Sequence, residues 1–190
     1  MTKIKKIVLA IVIIAPVSWV GFTIYAMTTF DIETLMTYAT SDDNCRIPYC
    51  NKPVEYYTLH FRGTKEDVAK LEQGIGLSYV FSDSKKRSTF LNFLLDKGVN
   101  INKVSPLDGT TPLHAAVLQN DPELVKFLLD HGADPTIRKA KDNSSFTEFD
   151  NMTPLEMLEK MVQNRPELAA RSKVKQVLEA PQPKINTVPK

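Results

Sequence analysis

"DGTTPLHAAVLQNDPELVKFLLDHGADPT", residues 108–136, decides the fold of this 190-residue chain. Thr111 stands where a hydroxyl can accept from the first free N–H groups of a helix. Pro112 suits the first helical position, where no N–H is needed. Leu113, Ala116 and Val117 follow at helical spacing and read as a core-facing stripe. Ala115 and Ala116 keep that helix thin, so a neighbour can stack closely. Asp121 and Pro122 restart the chain as a second helix, with Leu124, Phe127 and Leu128 as its apolar stripe. Gly132, after His131, fits the left-handed position that ends a helix.

Parts of this stretch recur. "LLDKGVNIN" at 94–102 matches "LLDHGADPT" at 128–136, an offset of 34. "TTPLHAAV" at 110–117 matches "MTPLEMLE" at 152–159, an offset of 42. "NDPELVKFLL" at 120–129 aligns with "NRPELAARSK" at 164–173. The linked pattern runs Asp-Gly-x-Thr-Pro-Leu-His-x-Ala, short helix, polar turn, second helix, glycine. It resembles the ankyrin repeat, with its period of about 33 residues and its T-P-L-H-x-A signature. The residues that carry the resemblance are Thr111, Pro112, Leu113, His114, Ala116 and Gly132, with Thr153, Pro154 and Leu155 in the next copy. The resemblance implies an all-α solenoid of about three to four repeats over 54–179, its end repeats degenerate because each has one face in water.

His114 is one of three histidines and invites a catalytic reading. That reading needs a nucleophile or carboxylate in fixed relation to it. No Ser-x-Gly elbow, His-Glu-x-x-His or paired-acid motif lies nearby, and the next copy places Glu156 at the matching position. The resemblance instead implies an architectural histidine, bonded to backbone between repeats. His60 reads as a marginal core residue, and His131 as a helix C-terminal residue that suits the dipole.

The offset of 42 exceeds the period by about nine residues. The excess falls in "IRKAKDNSSFTEFDN", where ankyrin repeats join through a finger. Loops of a solenoid cluster on one face, often the binding face. Phe146 and Phe149 are large and apolar in a polar loop, so they read either as binding anchors or as residues folded back on the neighbouring repeat. Arg138, Lys139, Lys141 and Glu148 would form a charged rim to such an anchor.

Elsewhere the pattern weakens. Residues 31–53, with "SDDNCRIPYCNKP", read as an irregular stalk or cap loop. Residues 54–76 read as a helical pair, a degenerate first repeat, with Thr64 capping its second helix and Asp67 at N3. Gly74 and Gly98 lie too close for a full period, which a trimmed first helix within 78–98 would explain. Phe90, Phe93 and Leu94 read as core. Pro154 to about Gln163 and Pro166 to about Glu179 form the last pair, and 180–190 reads as a flexible tail.

No charge occurs from Ile7 to Phe30, 24 residues, and about 20 suffice to cross the hydrocarbon core as a helix. Residues 1–30 therefore read as an N-terminal membrane anchor or, alternatively, a signal peptide cleaved near Ala26. Lys3, Lys5 and Lys6 place the N-terminus on the cytoplasmic side, which puts the body in the periplasm of a bacterium. In that compartment Cys45 and Cys50 suit a short-loop disulfide. They are too few for a structural zinc site. A eukaryotic setting would make Asn143 and Asn151 glycosylation acceptors.

Of 24 Lys and Arg residues, three precede the apolar run, leaving 21 against 22 acids in the body. That balance argues against nucleic acid as a partner. Nothing in the sequence calls for a cofactor or a metal, and no motif carries chemistry. The resemblance implies a protein-binding module. Similar small bacterial proteins with a membrane segment and ankyrin repeats include immunity proteins, which occlude phospholipase-type toxins delivered by type VI secretion. The other reading is a non-inhibitory envelope scaffold, for example for an antioxidant enzyme.

Overall fold

The computed structural model describes residues 21–40, 46–47, 53–73, 77, 86–141, 147–165 and 172–181. Residues 21–29 are helical. The α-helices that follow are α1 (Ile32–Thr40), α2 (Val54–Phe61), α3 (Lys65–Gln73), α4 (Arg87–Asp96), α5 (Pro112–Leu118), α6 (Pro122–Asp130), α7 (Pro154–Asn164) and α8 (Ser172–Glu179). A short 3-10 turn covers Thr147–Phe149. Among the described residues there is no strand, only an isolated antiparallel bridge between Arg46 and Pro53.

The helices follow one another along the chain as four consecutive pairs. Within pairs α1 packs on α2, α5 on α6 and α7 on α8; between pairs α1 meets α3, α5 meets α7 and α6 meets α8. The turn that precedes α3 meets the end of α4: a Cβ on Gly63 would lie 2.8 Å from Phe93 and 2.7 Å from Lys97. One apolar core runs through all four pairs, from Ile32, Leu35 and Met36 through Leu71, Phe90, Leu94, Leu113 and Leu128 to Met157 and Val174.

Three helices open on the same device. Thr111 and Thr153 accept from the N–H of His114 and Glu156, whose side chains accept in return from the cap N–H. Thr64 accepts from the Asp67 N–H at 3.2 Å, and Asp67 Oδ2 accepts from Thr64 N–H at 3.0 Å. Such reciprocal capping satisfies two donors that the helix leaves without partners. It marks α3, α5 and α7 as equivalent first helices. Second helices also share an ending. Gly98 and Gly132 adopt φ 90° and 94°, and the next N–H returns to the carbonyl of Leu94 or Leu128, the Schellman bond of a left-handed cap.

Three expectations change. Residues 32–40 are helical, where an irregular stalk was expected. Asp31 caps this helix, accepting from the Thr34 N–H at 2.7 Å, and Ile32, Leu35, Met36 and Ala39 bury one stripe. Helix α2 packs on α1, so it does not pair with α3 as the degenerate repeat required. His60 is exposed, stacked on Tyr56 with centroids 4.1 Å apart, so it is no core residue. The trimmed helix expected before Lys86, the Cys45–Cys50 pair and the tail at 182–190 lie outside the described residues. Most of the expected anchor, residues 1–20, does so too. Among the described residues no helix is long and apolar enough to cross a membrane.

Candidate protein-binding face

Two loops project from the first helices of the last two pairs. The finger at 105–110 closes through Ser105 N–H to the Thr110 carbonyl at 2.8 Å and Gly109 N–H to the Ser105 carbonyl at 2.9 Å. Asp108 Oδ1 accepts from the Thr110 N–H at 3.1 Å and hydroxyl at 2.9 Å, which stiffens the turn. Leu107 stands at its tip, 61% exposed. Desolvating such a rigidly held apolar side chain is what interface anchors do.

The finger at 139–152 closes through Lys139 N–H to the Met152 carbonyl at 2.8 Å and Asn151 N–H to the Lys139 carbonyl at 2.9 Å. Ala140 N–H donates to the Gly109 carbonyl at 2.9 Å, which ties the fingers together. Gly109 has φ 68°, and a Cβ there would lie 2.3 Å from the Ala140 oxygen. Both facts demand glycine. The glycine of the Asp-Gly-x-Thr-Pro motif is thus explained by the approach of the next finger.

His114 fastens the same joint from below. Its ring is fully buried. Nε2 lies 3.0 Å from the Met152 carbonyl, so it donates. Nδ1 accepts from the Thr111 N–H at 3.3 Å and lies 2.8 Å from the Thr111 hydroxyl. These partners fix a neutral imidazole protonated at Nε2. Burial pushes its pKa below the ordinary 6.5, although the Met152 carbonyl favours the protonated form. Glu156 fills the same slot in the last pair and meets Arg138 instead, at 2.8 and 3.1 Å in a two-pronged pair. The cap N–H of Thr153 and that guanidinium hold its carboxyl below the ordinary range. Two further bridges link repeats. Arg87 pairs with Asp121, the cap of α6, and Asn102 bonds Gly132 and Asp134.

The residues expected to bind separate into three groups. Phe149 is 6% exposed and belongs to the core, so of its two readings the folded-back one holds. Lys139 does not join a charged rim: it is 2% exposed, its ammonium 2.7 Å from Asp150. Arg138, Lys141 and Glu148 are exposed on the finger, and Lys160 donates to the Glu148 carbonyl at 2.6 Å. Phe146 lies outside the described residues. Leu107 went unnoticed in the sequence, although a lone leucine inside "SPLDGT" is an apolar residue in a turn. Among the described residues no cluster of three or more His, Cys, Asp or Glu side chains could hold a metal.

Comparison with known proteins agrees with this geometry. Residues 89–129 match the family model described as ankyrin repeats in many copies. Human BCL-6 corepressor-like protein 1 is 44% identical over 54 residues, 28% of this chain and 3% of that one. The human 2-5A-dependent ribonuclease is 43% identical over 53 residues, 28% of this chain and 7% of that enzyme. A BTB/POZ domain and ankyrin repeat-containing protein of Lupinus angustifolius is 33% identical over 89 residues, 46% and 16% of the two chains. The chain therefore spans a small fraction of the curated relatives it matches. No solved structure matches it significantly. The ankyrin-repeat reading is supported by the family model over 89–129 and by the names of these relatives.

Proposed function

We propose that this chain is an anchored binding module: an apolar N-terminal segment holds it in the bacterial inner membrane, and its repeats face the periplasm and occlude a secreted toxin of the phospholipase class. Ankyrin repeats imply a protein-binding module. The observation that carries the reading is the locked finger pair, joined by Ala140 N–H to the Gly109 carbonyl, which exposes Leu107 on one finger and the Arg138–Glu156 pair at the base of the other. Such a surface offers an apolar anchor and a charged pair, fixed before a partner arrives, so little ordering entropy opposes binding. The membrane part rests on the uncharged run from Ile7 to Phe30 behind three lysines.

The test is genetic. Deleting the gene should poison the cell when a neighbouring toxin gene is intact, and be harmless when that toxin's catalytic residue is replaced. An antioxidant enzyme next door, with no toxicity on deletion, would replace immunity by the scaffold reading. Fractionation tests the anchor: a soluble product whose N-terminus begins near Met27 would show a cleaved signal instead.

A further inference from the structure

A second surface lies away from the fingers. Eight large apolar side chains are exposed among the described residues, and all but Leu107 lie between Phe22 and Phe61. They surround the place where the helical residues 21–29 dock on the repeats through buried Ala26 and half-buried Met27. Between this helix and α2 runs a groove of about 290 Å³, lined by Ile24, Met27, Ile47, Tyr56, Tyr57 and Phe61 together with Thr23 and Thr28. No charged side chain lines it.

The helix that walls the groove bonds its exposed threonine hydroxyls to its own backbone. The Thr28 hydroxyl donates to the Ile24 and Tyr25 carbonyls at 3.0 and 2.9 Å, and the Thr29 hydroxyl to the Tyr25 carbonyl at 2.7 Å. Arg62 donates to the terminal carbonyls of Met27 and Phe30 at 3.2 and 2.8 Å, and Asp67 neutralises it. Backbone satisfied from within is what a low-dielectric surrounding requires.

We infer that this groove and its aromatic border rest in the headgroup–glycerol layer of a lipid bilayer, so that the repeats lie against the membrane. The inference rests on the anchor reading above. The chain outside the described residues argues for it. Residues 7–20 are uncharged and immediately precede, in the sequence, the helix that forms the groove's wall. Ile24 to Phe30 spans about 9 Å of helix, close to the ~5–8 Å interfacial layer of one leaflet. A helix leaving the hydrocarbon near Ile24 would therefore carry Tyr56 and Phe61 at interface depth, where amphipathic aromatic rings are favoured.

The experiment uses the full chain with Trp19→Phe, which removes its single tryptophan, and adds Phe61→Trp, with Leu107→Trp as the distal control. Tyr56→Trp serves if the first variant does not fold. The proteins are reconstituted in phosphatidylethanolamine–phosphatidylglycerol vesicles carrying a shallow brominated lipid. Quenching at position 61 should exceed that at 107 by about twofold or more, with a blue-shifted emission. Equal quenching in protein that floats with the vesicles would overturn the membrane-apposed groove and leave the anchor standing. Protein that does not float would overturn both. Shielding of position 61 from acrylamide without lipid quenching would mean that a second copy or another protein covers the groove, which also overturns the inference.

Discussion

His114 joins two repeats through its two ring nitrogens, and its environment sets its protonation. Replacing it with alanine leaves the Thr111 N–H without its acceptor, strips the Met152 carbonyl of one of its two donors and opens a cavity at a fully buried site. The expected cost is about 2–4 kcal/mol in chemical denaturation. The lowered pKa adds a pH signature. The unfolded imidazole takes a proton near its ordinary 6.5, and the folded one only at lower pH. Its share of stability is therefore complete above 6.5 and declines as the pH falls below it. Urea midpoints between pH 7.5 and 5.5 should fall for the native chain and fall less for His114→Ala; identical slopes would mean that the ring is not held neutral. This role was legible because the motif places a histidine three residues after a capping threonine. The place of Lys139 was not legible. An isolated lysine reads as solvated, and its partner Asp150 is brought to it only by closure of the finger.

At the scale of the element, each finger is a loop held by its neighbour. Gly109→Ala combines a left-handed φ with a Cβ driven into the Ala140 carbonyl. It should cost at least ~1–3 kcal/mol and separate the fingers, so hydrogen exchange at Ala140 N–H should accelerate more than that at Val125. In the longer finger Phe149 works as a core residue. Phe149→Ala should lower stability by about 3–5 kcal/mol, whereas Leu107→Ala should leave the melting temperature nearly unchanged and weaken partner binding about tenfold or more. The reverse result would move the binding anchor to the inserted loop. The insertion itself was visible as a delay in the repeat, but its fold was not. A phenylalanine in a polar loop has the same sequence signature whether it points out or in, and tertiary closure decides. Helix α1 shows the opposite case. Its stripe of Ile32, Leu35, Met36 and Ala39 was present at helical spacing, and the prolines and cysteines farther along the loop hid it.

Across the whole molecule, the four pairs form a chain of nearest neighbours, so stability depends on the joints between them. The Thr-Pro-Leu motif made α5 and α7 readable. The pairing of α1 with α2 was not, because no motif marks a first repeat and only packing reveals its partner. The joint that holds this end is Arg62. It reaches two carbonyls of the N-terminal helix and both oxygens of Asp67, at 3.2 and 2.5 Å. Burial alone would raise the Asp67 pKa, yet Arg62 and the Thr64 N–H together hold it down at about 2. Arg62→Met leaves a buried carboxylate without its partner and should cost about 3–5 kcal/mol. Adding Asp67→Asn removes the stranded charge, while the amide oxygen can still accept from the Gly63 and Thr64 N–H groups. The double variant should therefore be more stable than Arg62→Met alone. Asp67 also gives the pair an acid limit. Its contribution is complete above the ordinary 3.8 and is lost as the pH falls through about 2, so acid unfolding should be steeper in the native chain than in the double variant. Arg62→Met also frees the carbonyls of Met27 and Phe30 from the guanidinium that holds them. Protease should then cut near Thr29 before it enters α5. If the cut comes first within the last two pairs, Arg62 is not the joint that fixes the N-terminal helix to the stack.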